Sequence, residues 1–178
     1  AEGSMAGARR ICRELEEIRG LRFKREVDVA TESMESFRKY VQEGLDKQFG
    51  GAGATNFVAA LVKLGAFKES IDLSAVVLSM LETQAAAHYN PDTQTCALLM
   101  TNMPAKFLDM FLSHELYHAL QDQWYDLKPV LLMDNVPAMC DNGDLAFARQ
   151  ALVEGDATLV MTLWFTGREA GGTRSPIL

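Results

Sequence analysis

The chain has 178 residues, 48% of them hydrophobic and 23% charged, enough for an ordinary globular domain with a sizeable core and too apolar for disorder throughout. A net charge of −7 with a pI near 5.0 excludes a basic nucleic-acid-binding surface. No apolar run approaches the length of a membrane span.

Residues 1–5, Ala1-Glu2-Gly3-Ser4-Met5, lack the charged and apolar regions of a signal peptide and read as a cloning remnant ahead of an internal start. The native N-terminus, with any targeting signal, is then expected outside this sequence, and the compartment stays open. Ile11, Leu15 and Ile18 at helical spacing predict a helix over residues 6–18. Residues 21–30 alternate, with Phe23, Val27 and Val29 apolar and Lys24, Glu26 and Asp28 charged. This predicts a strand, although Arg25 breaks the alternation. Thr31 is the expected N-cap of a helix reaching residue 49. Gly50-Gly51-Ala52-Gly53-Ala54 reads as a connector; no Gly-Lys-Ser/Thr follows, so it is not a phosphate loop.

Two apolar helical stretches follow at 56–64 and 73–86, with Ser74 a candidate cap of the second. Asn90-Pro91-Asp92 has turn chemistry, and the flanks 86–89 and 93–100 are suited to pair as a hairpin. A helix is predicted over 105–124, an irregular stretch with Pro129 and Pro137 over 125–142, and a last helix over 144–165. Residues 167–178 read as a frayed tail or the start of a linker. The expected organisation is a remnant at 1–5, a single domain over 6–166 and that tail, with no internal repeat. Cys12, Cys96 and Cys140 are odd in number and form no C-x-x-C pair, so they read as buried or idle thiols.

The helix over 105–124 carries His114-Glu115-Leu116-Tyr117-His118, an H-E-x-x-H motif. Histidines at i and i+4 project from one helical face, one turn apart, so both imidazoles can bind a single Zn²⁺. The glutamate beside the first ligand is then placed to take a proton from a water activated by the metal. Such a motif arises by chance on the order of once per hundred chains of this length. Here Phe107, Leu108, Met110, Phe111, Leu112, Leu116 and Leu120 make the helix apolar nearly all round, which predicts burial. Burying two histidines and a glutamate without a task is costly.

A catalytic zinc usually takes three protein ligands and leaves one position for water. The arrangement H-E-x-x-H-x-x-G-x-x-H is excluded, because Gln121 stands at its glycine position and Trp124 at its third histidine. His88 precedes the motif and does not complete it. The third ligand must then be a carboxylate on a later element, and Asp134, Asp141, Asp144, Glu154 and Asp156 qualify by type. Glu154 is the best candidate, charged within the apolar segment Ala151-Leu152-Val153-Glu154-Gly155-Asp156-Ala157. Asp156 has the same claim. The two lie about 200° apart on a regular helix, and periodicity alone does not choose between them.

The segment from His114 to Gln123, followed by the segment from Ala151 to Thr158, resembles bacterial zinc metallopeptidases of the gluzincin type. The resemblance covers roughly residues 89–164 and is weak in the N-terminal third. It implies an α+β, mainly helical, zincin-like domain with a small sheet or hairpin packed on the active-site helix. It also implies that Glu154 is the third ligand of a Zn²⁺ held with His114 and His118, that Glu115 is the general base, and that the reaction is peptide-bond hydrolysis. A peptide or protein is the implied partner, and a secreted or envelope-associated location the implied compartment. A further domain or pro-segment outside this sequence would fit the same picture. Gluzincins often place an acidic residue four positions after the ligand glutamate to orient a histidine. Thr158 stands there, which leaves Asp156 or Asp122 for that task. Enzymes of this architecture commonly bind substrate along a sheet edge beside the active-site helix, a role the strand over 93–99 would take.

Around the motif, Tyr125 and His88 are candidates for stabilising an oxyanion, against the plainer readings of an interface tyrosine and an ordinary packed histidine. Asp122, one turn beyond His118, is either a polar residue ending the helix or an acceptor for a histidine N–H. The alternative to a peptidase is a non-catalytic binding or scaffold domain that keeps a degenerate metallopeptidase site for zinc-dependent stability.

Overall fold

A computed structural model of the chain describes residues 2–50, 52–84, 86–99, 103–131 and 142–169. Its elements are α1 (Glu2–Arg19), β1 (Asp28–Glu32), α2 (Met34–Phe49), α3 (Gly53–Lys63), α4 (Leu73–Gln84), β2 (Ala87–Asn90), β3 (Thr95–Leu99), α5 (Ala105–Tyr125), α6 (Leu127–Val130) and α7 (Gly143–Glu169). The protein is mostly helical with a small three-stranded sheet ordered β1-β3-β2, an α+β arrangement. The backbone divides into two compact units, one of residues 1–31 with 86–178 and one of residues 32–85.

The smaller unit holds α2, α3 and α4. Ser33, not Thr31, caps α2: its hydroxyl accepts from Ser36 N at 3.2 Å, while Thr31 belongs to β1. Asp72 rather than Ser74 opens α4, accepting from Ala75 N at 3.0 Å. An Asp side chain reaches the orphan N–H groups of a first turn as well as a Ser does.

In the larger unit, α1, α5 and α7 build the core. Ile11, Leu15 and Ile18 meet Leu112, Leu116 and Leu120 of the motif helix and Ala157, Val160 and Trp164 of α7. Tyr89 and Cys96 carry the sheet into the same cluster. Trp164 is fully buried, and its indole N–H donates to Glu14 Oε2 at 2.6 Å. Trp164→Ala is expected to cost about 3–5 kcal/mol, measured by urea unfolding. A loss below about 1 kcal/mol would mean that this three-helix core is not what holds the unit together.

The hairpin forms as expected. β2 and β3 pair antiparallel with Tyr89 opposite Cys96. Asn90 organises the turn, its Oδ1 accepting from Asp92 N at 2.8 Å, while Gln94 takes a left-handed φ of 60°. The expected strand over 21–30 forms only from Asp28 onward. Side chains take the backbone groups before it. Phe23 N donates to Glu16 Oε1 at 2.8 Å, Lys24 N and Arg25 N donate to Gln123 Oε1, and Arg22 O accepts from the Trp124 indole at 2.9 Å. A strand ladder would have to break these bonds, so alternation alone does not produce one.

The last helix is longer than predicted, and residues 167–169, assigned to the tail, belong to it. Residues 170–178 and the 132–141 part of the expected irregular stretch, with Asp134, Pro137, Cys140 and Asp141, lie outside the described residues. The motif helix is enclosed from Leu112 to Asp122, whereas its first two turns are open and Phe107 is exposed. Its apolar N-terminal half is therefore not the buried segment its composition predicts.

Candidate metal centre

His114 and His118 stand on one face of α5 with their rings 4.6 Å apart and nearly perpendicular. Their Nε2 atoms are 3.0 Å apart. Glu154 comes from α7, next to the buried stripe of Val153, Ala157 and Val160 that packs this helix into the core. Its Oε2 lies 3.2 Å from His114 Nε2 and 3.4 Å from His118 Nε2. For a tetrahedral zinc with bonds near 2.0–2.1 Å, two ligand atoms are separated by roughly 3.3 Å. The three atoms thus form a triangle of the size one face of such a site requires. The donor set, two imidazole nitrogens and a carboxylate oxygen, is of a kind that can hold a zinc ion.

Among the described residues, the other acidic candidates fall elsewhere. Asp144 is exposed in the first turn of α7, ten residues and about 15 Å along the helix from Glu154. Asp156 lies on the far side of Gln121: its Oδ2 accepts from Gln121 Nε2 at 3.1 Å and from Tyr117 OH at 2.7 Å. Asp122 has both oxygens engaged, Oδ2 by Tyr89 OH at 2.7 Å and Oδ1 by Leu127 N at 2.8 Å. It closes the C-terminus of α5 and anchors the hairpin. Neither aspartate contacts a motif histidine directly.

Gln121, which the sequence reading used only to exclude a glycine position, makes that contact. Its Oε1 lies 2.9 Å from His118 Nδ1, and its Nε2 donates to Val153 O at 3.1 Å as well as to Asp156. The signal was present in the sequence as a polar residue three positions after a ligand histidine, one helical turn away on the same face. His114 Nδ1 is buried and has no hydrogen-bond partner among the described residues.

Glu115 points to the sheet. Its Oε2 accepts from Tyr89 N at 2.7 Å, and Oε1 carries no hydrogen bond among the described residues. Burial pushes the Glu115 carboxyl above its ordinary value, against the opposing pull of His118 and His114. The two histidines hold Glu154 well below the usual carboxylate range. Burial disfavours a charged His118, but its bond to Glu154 and the nearby Glu115 outweigh that and raise its pKa.

The remaining candidates are set apart. Tyr125 is within α5, as the oxyanion reading requires, but it lines a cavity of about 340 Å³ on the Gln121–Asp156 side, with Arg19, Leu127 and Leu152. His88 alternates with Tyr89 along β2, so its side chain is on the opposite sheet face from the one that reaches Asp122. Thr158 is exposed on α7. The strand expected to receive substrate, β3, is central and has a neighbour on each side, whereas β2 forms the sheet edge that packs against α5.

The chain matches no family model, no curated protein and no solved structure.

Proposed function

We propose that the protein is a zinc-dependent peptidase of the gluzincin type. The observation that carries this reading is the convergence of His114 Nε2, His118 Nε2 and Glu154 Oε2 within 3.0–3.4 Å of one another, beside the partly buried Glu115. His114, His118 and Glu154 would hold the ion. Bound there, zinc supplies Lewis acidity, polarising a carbonyl and making water acidic near neutral pH.

The chain's own groups do the rest. Glu115 accepts the proton from the attacking water at Oε1 and delivers it to the leaving amine, while Tyr89 N fixes its other oxygen. The raised pKa of Glu115 suits a group that must both take and return a proton; a dication at the triad would pull it back toward the carboxylate range. β2 offers the docking edge. Leu99 N bonds to Ala86 O, so antiparallel alternation turns the N–H and C=O of Ala87 and Tyr89 away from β3. Tyr89 N is taken by Glu115; an extended peptide docked next to the base would pair with Ala87 and the Tyr89 carbonyl. Backbone pairing of this kind accepts many sequences.

The test is removal of the metal. A chelator is expected to abolish hydrolysis of a denatured protein substrate and leave the far-ultraviolet dichroism intact, with one equivalent of zinc restoring activity. Melting of the fold on chelation, with no hydrolysis before it, would instead make the centre a structural one in a binding or scaffold domain.

A further inference from the structure

Gln121 is held from both ends. Its Nε2 faces two acceptors, the Val153 carbonyl at 3.1 Å and Asp156 Oδ2 at 3.1 Å. Neither has a proton to give, because a carbonyl and an ionised carboxylate only accept. The reversed amide, with oxygen toward Val153 and Asp156, would set three acceptors against one another. Gln121 is therefore obliged to present Oε1 to His118 Nδ1, 2.9 Å away. An oxygen acceptor at that distance requires the imidazole proton to sit on Nδ1. In the neutral imidazole the lone pair is then on Nε2, the atom that faces His114 and Glu154.

Asp156 is itself fixed. Tyr117 OH donates to its Oδ2 at 2.7 Å, Arg19 Nε donates to Tyr117 OH at 2.7 Å, and the Arg19 guanidinium lies 3.7 Å from Asp156 Oδ1. Gln121 and Tyr117 are buried, and Arg19 and Asp156 are partly so. The chain of contacts runs from α1 through α5 and α7 and ends on one ring nitrogen.

We propose that Gln121 is a positioning residue that locks His118 in the tautomer able to bind a metal through Nε2, with Asp156, Tyr117 and Arg19 holding the amide in that sense. An uncharged amide thus takes the place of the carboxylate that sequence reasoning assigned to Asp156 or Asp122, and the carboxylate acts one residue further out. The inference rests on the metal reading for its consequence, but the tautomer is a property of the metal-free protein.

The experiment pairs two measurements on the full chain. Nitrogen-detected imidazole NMR of the metal-free protein at alkaline pH reads the His118 tautomer. Competition with a chromophoric chelator reads zinc affinity. The expected result is Nδ1–H in the wild type, loss of that preference in Gln121→Leu, and a fall in zinc affinity of about 10–100-fold. Gln121→Glu separates positioning from packing. It keeps an acceptor toward Nδ1 and so keeps the tautomer, but sets a carboxylate against Asp156 and Val153 O and melts at lower temperature.

Wild-type His118 carrying its proton on Nε2 overturns the inference, and that measurement needs no variant to fold. Gln121→Leu with unchanged tautomer and unchanged affinity overturns it too, while leaving the metal centre standing. A wild-type protein that binds no zinc but shows the Nδ1–H tautomer overturns the metal reading and upholds the orienting role of Gln121.

Discussion

Glu115→Gln is expected to keep zinc binding within a few-fold of wild type and to lower peptide hydrolysis by about 10²–10⁴-fold. Glutamine has nearly the shape of glutamate and can still accept from Tyr89 N through its amide oxygen, so the tether between α5 and β2 survives. What it lacks is a site for the proton of the attacking water. The substitution also removes a partly buried charge whose pKa is already raised by desolvation, so the fold should lose little stability. Side-by-side assays of zinc stoichiometry and hydrolysis decide the matter. Activity retained in full would sink Glu115 as the base. Loss of zinc together with activity would mean that Glu115 acts through the integrity of the site.

Glu154→Ala is expected to weaken zinc binding by more than the roughly 10–100-fold typical of a residue that only supports a ligand. Gln121→Leu, which leaves all three ligands in place, sets the scale for comparison. The same variant should change how the metal-free protein responds to pH. Glu154 is depressed by the two histidines, so its contribution to stability is present above its unfolded pKa and is lost as pH falls through the lower folded value. His118 is raised, so its contribution is fully present below its unfolded pKa and is lost as pH rises through the folded one. Their pairing therefore stabilises the metal-free protein most between about pH 4.3 and 6.5, the ordinary values of the two groups. Glu154→Ala should flatten the pH–stability curve across that window. Zinc affinity of the wild type should run the other way and rise with pH, because the metal must displace the proton from His118. A metal-free curve identical in wild type and variant would remove the interaction between α5 and α7 from the account.

The two motif histidines were legible because helical period is a local property: residues at i and i+4 share a face whatever surrounds them. The hairpin was legible for a similar reason, since Asn90 and its neighbours carry their own turn chemistry. The strand over 21–30 was not, because side chains of Glu16, Gln123 and Trp124, up to about a hundred positions away in sequence, take the backbone groups a strand would need. The same limit applied to the acids. Glu154 and Asp156 are two residues apart and equally charged, and helical geometry places them on opposite sides without saying which side faces α5's histidines.

By itself, then, the sequence determined the helical face that carries His114 and His118, with Glu115 beside it, the α+β class and the hairpin, all of which depend on period and on contacts within a few residues. The packing of α7 on α5 decided what stands opposite that face. It brought Glu154 to the two Nε2 atoms and put Asp156 behind Gln121, while the packing of β2 and α6 against α5 gave Asp122 to Tyr89 and Leu127. These are choices between residues of the same chemical type at neighbouring positions. Only the burial of Val153, Ala157, Val160 and Trp164 against α1 and α5 separates them, because that burial sets the rotation of α7 about its own axis.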